Sequence, residues 1–264
     1  MAIAQVDDIK IFYRILGDGF PLLMIHGLRD ISDNWDSTLT RGLSQKYKLV
    51  LFDLPGSGRS ELSNKEPSIK LFAEETSILM DTLGISKAHI IGMSLGGMIA
   101  QELVLNYPMK VEKLVLCSTR SGISRQNPPS IKTIAEFKSN RKPLSSEDMV
   151  RNSVNFLFTE EFIKNNPGYI EDHIQRRLSV SPSKKGLMGQ TKAAMDFDSY
   201  ERLSMINVPT LILHGKKDIM IPPENASVLA EAIPNAKLVV FENSAHFLAE
   251  DADKVLEAIM NFLD

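Results

Sequence analysis

In HIIGMSLGGMIAQ, residues 89–101, a serine stands between glycines where a strand-like apolar run gives way to a helix-like one. The spacing Gly92-x-Ser94-x-Gly96 suits a nucleophilic hydroxyl on a tight strand-to-helix turn. Such a turn holds its central residue in a strained backbone region, which persists only if nearby positions lack bulk. Gly92 and Gly96 remove the side chains that would collide, and Gly97 lets the following helix pack close. That helix would aim backbone N–H groups and a partial positive charge at the site. A simple helix cap needs the serine but not both glycines. GMSLGG is not a dinucleotide-binding glycine pattern, and LPGSGRS lacks the lysine of a phosphate loop.

A serine hydroxyl is a weak nucleophile and requires an oriented base. There are five histidines. His26 and His214 precede glycines at strand ends and His89 opens a strand, so all three read as hydrogen-bonded scaffold residues. His173, in EDHIQRR, reads as solvent-facing. His246, in FENSAHFLAE, follows the last strand on a loop of small residues, where a base could reach over the carboxyl edge of a sheet. The acid that orients it should follow an earlier strand at the same edge. Asp218, in LILHGKKD, meets that requirement and would hold the imidazole tautomer and stabilise the imidazolium. Asp53 is expected to anchor the LPGSGRS turn with Arg59. Glu250, one turn beyond His246, is placed to support that loop, but a solvated role is the one expected.

The elements that would hold these groups are visible as short apolar runs ending in turn residues: FPLLMIHG, YKLVLFDLPG, KAHIIGMS, VEKLVLCST, VPTLILHG and AKLVVFEN. They are continuously apolar, as strands buried on both faces are. Helical patterns lie between them. Ile69, Phe72, Leu79, Met80 and Leu83 share a face that Gly84 would end. Leu95 to Tyr107 is apolar nearly all round, Pro222 and Pro223 suit a first helical turn, and Leu248, Val255, Leu256, Ile259 and Leu263 form a C-terminal stripe. This alternation predicts an α/β fold, a mostly parallel twisted sheet of about eight strands with helices on both faces. AIAQVDDIKIFYRIL reads as an antiparallel hairpin turning at Asp7-Asp8. Residues 120–200 break the rhythm, with polar helical pieces and scattered Phe137, Met149, Phe156, Phe158, Phe162, Met188, Met195 and Phe197. They are expected to form an inserted helical cap whose apolar residues mostly make its own small core, with 1–119 and 201–264 as the main domain.

The 264 residues are 43% hydrophobic and 24% charged, and the net charge of −3 offers no basic field for nucleic acid or anionic membrane. The single cysteine, Cys117, excludes internal disulfides and reads as a core residue. No stretch approaches the ~18 apolar residues of a membrane span. With no basic-then-apolar start to suggest a leader, a cytoplasmic protein is expected.

Ser94, Asp218, His246 is the chain order of the α/β-hydrolase family. The chain resembles that family along essentially its whole length, through IHGLRDISDNW, LFDLPGSGRS, GMSLGG, PTLILHGKKD and SAHF in sequence. The resemblance implies an oxyanion hole made by the backbone N–H groups of Leu28 and Leu95, and no metal or organic cofactor. The spacing of Gly27 and Trp35 is similar to that of simple carboxylesterases and 3-oxoadipate enol-lactonase-like enzymes. Ser94 argues against dehalogenases and epoxide hydrolases, which carry aspartate there. Leu28, Arg29 and Asp30 replace the further glycines common in carbon–carbon bond hydrolases; perhydrolases share much of the pattern. Arg29 could meet an anionic substrate or pair with Asp30 or Asp33. The implied activity is hydrolysis of a small to medium ester or lactone through an acyl-enzyme; the competing class is a hydrolase-like small-molecule receptor.

Overall fold

The computed structural model describes residues 2–139, 146–180 and 183–264; side chains at 137–139 and 146, that of Phe137 included, fall outside the description. The strands are β1 (Ala2–Val6), β2 (Ile9–Leu16), β3 (Phe20–Ile25), β4 (Tyr47–Phe52), β5 (Ala88–Met93), β6 (Val111–Cys117), β7 (Thr210–Gly215) and β8 (Ala236–Phe241). They form one sheet in the order β1-β2-β4-β3-β5-β6-β7-β8. β1 and β2 make the expected hairpin, with Asp7 at φ 51° in the turn. β2 pairs antiparallel with β4, and every later pair is parallel. All residues of β5 and β7 are buried, so the unbroken apolar runs reflect a sheet covered on both sides.

Alternate strand residues feed two cores. Leu23, Ile25, Ile90, Leu114 and Ile212 pack with α2 (Ile69–Thr82), α3 (Leu95–Asn106) and α9 (Glu224–Ala232). Leu22, Met24, Ile91, Val115 and Leu213 pack with α1 (Ser37–Leu43) and α10 (Ala252–Leu263). In α10 the buried stripe is Val255, Ile259 and Leu263, each contributing roughly 1.5–3 kcal/mol. Leu248 precedes that helix in a left-handed turn at φ 58° rather than continuing its stripe. α2 is capped by Ser68, whose hydroxyl accepts from Leu71 N at 3.0 Å, and ends as expected at Gly84, φ 67°. The expected proline start lies just ahead of α9, with Pro223 at its N-cap.

Between β6 and β7 run α4 (Ile131–Ser139), α5 (Ser146–Leu157), α6 (Glu160–Asn165), α7 (Pro167–Ser179) and α8 (Lys184–Asp196). Val150, Val154, Leu157, Phe158, Ile170 and Ile174 form a third, smaller core with Phe162 against it. The other apolar residues of this segment divide three ways. Met149 and Phe156 line a cavity, Phe197 joins the main sheet core, and Met188 and Met195 are exposed.

Candidate active site

Ser94 follows β5 directly and has φ 54°, ψ −116°, a conformation that few residues other than glycine adopt. Its N–H donates to Cys117 O at 2.9 Å, and its carbonyl accepts from Thr119 Oγ1 at 2.7 Å, so both flanking peptides are pinned to the end of β6. A Cβ on Gly92 would stand 2.4 Å from Gly96 O, and one on Gly96 would stand 2.1 Å from Ile25 O. The two glycines are therefore needed for backbone to pass backbone, as the sequence pattern implies. Gly27 is confined less severely: its Cβ would come within 3.2 Å of the Ser94 Cβ.

Asp218 and His246 sit on loops after β7 and β8. His246 Nδ1 donates to Asp218 Oδ2 at 2.7 Å, which leaves Nε2 as the acceptor nitrogen. The other oxygen of Asp218 accepts from the backbone N–H of Met220 and Ile221, both at 2.9 Å. Burial opposes ionisation of this carboxyl, but the neighbouring His246 and hydrogen bonds from His214 and His246 outweigh it and hold Asp218 down at about 2. His214 Nε2, 3.3 Å from the same carboxylate, also meets Ile221 O at 2.8 Å, in keeping with its expected scaffold position.

Glu250 departs from expectation. Rather than being solvated, it accepts from Thr159 N at 2.7 Å and Ala245 N at 3.3 Å, joining the start of α6 to the histidine loop. Phe247 N adds a bond to Leu157 O at 3.1 Å. The bond to Ala245 N is local to SAHFLAED, but the partners at Thr159 and Leu157 leave no trace in it.

Ser94 and His246 line one cavity of about 530 Å³, with Leu28, Met93, Phe156 and Phe247 among its walls. They form no hydrogen bond to each other among the described residues; such contacts are often loose without substrate. Two backbone donors are left over beside them. Neither Leu28 N nor Leu95 N has a partner among the described residues, while Gly97 N and Met98 N donate to Ser94 O. Leu95 opens α3, and an unpaired N–H at a helix start is a natural anion seat; Leu28 N adds a second donor from the loop after β3.

The remaining histidines are packing residues. His26 stacks on Trp35 at 4.3 Å between ring centres and lies 3.5 Å from Asp30. His89 packs against Phe20, and burial holds it down at about 4. His173 is the second correction: it is 0% exposed, edge-on to Phe158 and Phe247, with burial lowering it to about 4. Its helix buries Ile170, His173, Ile174 and Arg177, an i, i+3, i+4, i+7 face that the polar composition of EDHIQRR obscures. Asp53 anchors the glycine turn as expected, accepting from Ser32 N, Arg59 N and Arg59 Nε at 2.8–3.0 Å. Burial pushes the Cys117 thiol up to about 12, consistent with a core residue. Gln190 was not singled out by sequence. Fully buried in α8, it donates to Pro55 O and Ser57 Oγ and accepts from Arg29 N, tying that helix to two loops at once. Among the described residues no group of three or more His, Cys, Asp or Glu is arranged to hold a metal, and no helix is long and apolar enough to cross a membrane.

Residues 21–253 match the family model for the alpha/beta hydrolase fold. The chain belongs to the α/β-hydrolase-fold family. A protein of Azorhizobium caulinodans that bears the name "Putative carbamate hydrolase RutD" is 28% identical over 263 residues, 99% of this chain and 98% of that protein. Among solved structures, the enol-lactonase of Burkholderia xenovorans LB400 has a TM-score of 0.86 at 23% identity, over 99% of both chains, a likeness of fold alone. A thermophilic esterase of Thermogutta terrifontis has a TM-score of 0.81 at 25% identity, over 99% of this chain and 97% of its own.

Proposed function

We propose that this protein is a serine hydrolase that cleaves a small to medium carboxylic ester or lactone through an acyl-enzyme. Ser94 Oγ attacks the carbonyl carbon while His246 Nε2 takes its proton. The tetrahedral oxyanion is met by Leu28 N–H and Leu95 N–H, donors fixed in advance for the charge that develops. Collapse breaks the bond to the alcohol, which leaves with the proton from His246. Water, deprotonated by His246, then attacks the acyl-enzyme and releases the acid and Ser94. Asp218 orients the imidazole and stabilises its charged form throughout. Residues 120–200 act as the cap that shapes the pocket. The observation that carries the proposal is the 2.7 Å pair of His246 and Asp218 opening on the same cavity as a strained serine.

The test is hydrolysis of p-nitrophenyl esters from acetate to decanoate by wild type and Ser94→Ala. Multiple turnover in wild type, lost by at least ~10⁴-fold in the variant, is expected. Full activity in the variant, or no turnover by folded wild type together with a ligand-dependent shift in melting temperature, contradicts it. A carbamate is a second reading, favoured by the RutD-named relative. Its carbonyl would undergo the same attack, and p-nitrophenyl carbamates in the same series separate the two.

A further inference from the structure

Two guanidinium groups line the otherwise largely apolar cavity, Arg29 beside Leu28 and Arg177 on α7. Arg177 is 7% exposed; one nitrogen donates to Ser153 Oγ at 3.1 Å, and its Nε has no hydrogen-bond partner. Arg29 is held at φ 64°, its backbone N–H 3.5 Å from Gln190 Oε1. Among the described residues neither guanidinium has a carboxylate within 4 Å. The acids that the sequence offers Arg29 are engaged elsewhere. Asp33 pairs with Arg14 at 3.1 Å and Arg59 at 2.7 Å, and Asp30 lies against His26 and accepts from Asn34 Nδ2.

Arg177 is a buried cation with no ion-pair partner, and Arg29 stands half-buried on the same wall; leaving such charges unpaired is costly, which suits the site to an anion that arrives. Burial, opposed in part by Asp30, holds His26 and His173 in the neutral form. Among the side chains that line the cavity, the balance is therefore Arg29 and Arg177 against Asp30, one positive charge in excess at its wall. Guanidinium forks match the planar oxygens of a carboxylate, and a monoanion neutralises the excess where a phosphate dianion would overshoot it. We infer that the substrate carries a carboxylate away from the scissile bond, which Arg177 and Arg29 bind, so that the natural ester or lactone is an anionic one. This inference rests on the proposed hydrolysis at Ser94 and names its substrate class. The carboxylate itself undergoes no reaction; it fixes which carbonyl faces Ser94.

Mono-p-nitrophenyl glutarate and adipate, each compared with its uncharged methyl ester, test it in the intact protein. Wild type should favour the anionic ester of the better length by about tenfold or more in kcat/KM, as a charged hydrogen bond provides. R177M and R29M should each erase most of that ratio, and R177K should restore part of it. R29M keeps the test open if the buried Arg177 variant misfolds. A second readout needs no catalysis: saturable calorimetric binding of monomethyl glutarate or adipate to Ser94→Ala, weakened by adding R29M. Equal rates for charged and neutral esters without such binding would overturn the subsite while leaving the hydrolase intact. Binding without turnover of any ester would overturn the proposed hydrolysis and keep the subsite. An anionic preference unchanged in both arginine variants would also overturn the assignment.

Discussion

Ser94 and His246 reach the same cavity by different means. Ser94 is held by backbone: a strained dihedral pair, hydrogen bonds to the end of β6, and glycines at the van der Waals limit of neighbouring carbonyls. His246 is held by side chains and by the helices between β6 and β7, through Asp218, Glu250 and the Phe247–Leu157 backbone bond. The serine is therefore a property of the sheet, whereas the histidine is shared between the sheet and the segment joining β6 to β7. The first should survive changes in that segment; the second should respond to them.

The largest effect should come from Gly96→Ala. Its new Cβ would lie 2.1 Å from Ile25 O, backbone that cannot turn away, so urea unfolding should show a loss of about 3 kcal/mol or more. A near-neutral result would mean that close approach does not fix the serine turn. Asp218→Asn should leave the fold in place but lower kcat by roughly 10³–10⁴, because the amide no longer selects the tautomer that His246 needs.

Acid should probe the same carboxyl. Asp218 titrates lower folded, at about 2, than its ordinary value of 3.8, so its contribution to stability is present above about 4 and disappears as pH falls through about 2. The stability difference between wild type and Asp218→Asn should shrink over that window.

Glu250→Gln addresses the coupling itself. Weaker bonds to Thr159 N and Ala245 N should reduce kcat/KM about tenfold and stability by ~1 kcal/mol. No change in turnover would make the histidine as independent of the insertion as the serine. The smallest effect, and a control remote from both, is Glu75→Gln. This buried carboxyl has an unpartnered Oε2, and burial raises it to about 8. The folded form keeps a proton that the unfolded chain releases near 4, so stability falls as pH rises from about 4 to about 8. The variant should gain ~1 kcal/mol at pH 8, less at pH 5, with ester turnover unaltered.

The same contrast separates what could be read in the sequence from what could not. β3 to β7 are legible because a sheet covered on both faces needs unbroken apolar runs, β8 shows the same run at a half-buried edge, and each candidate catalytic group stands just beyond the end of one. The hairpin, the end of α2 and the buried α3 follow from equally local patterns. Between β6 and β7, and at the loop after β8, polar side chains perform structural tasks, so composition misleads. His173 and Arg177 share a buried face with isoleucines, and Glu250 bonds to a backbone 91 residues away. Gln190 likewise closes contacts 133 and 135 residues distant. Helical periodicity applied to polar as well as apolar residues finds the α7 face, and the spacing of Glu250 from His246 allows its bond to Ala245 N; nothing local points to Thr159 or to the contacts of Gln190.

The most direct test of the central claim is covalent. After reaction with a fluorophosphonate, peptide mass mapping should place a single adduct on Ser94, absent from Ser94→Ala and formed much more slowly in His246→Ala. An unlabelled folded protein, or an adduct on another residue, would contradict nucleophilic catalysis at Ser94.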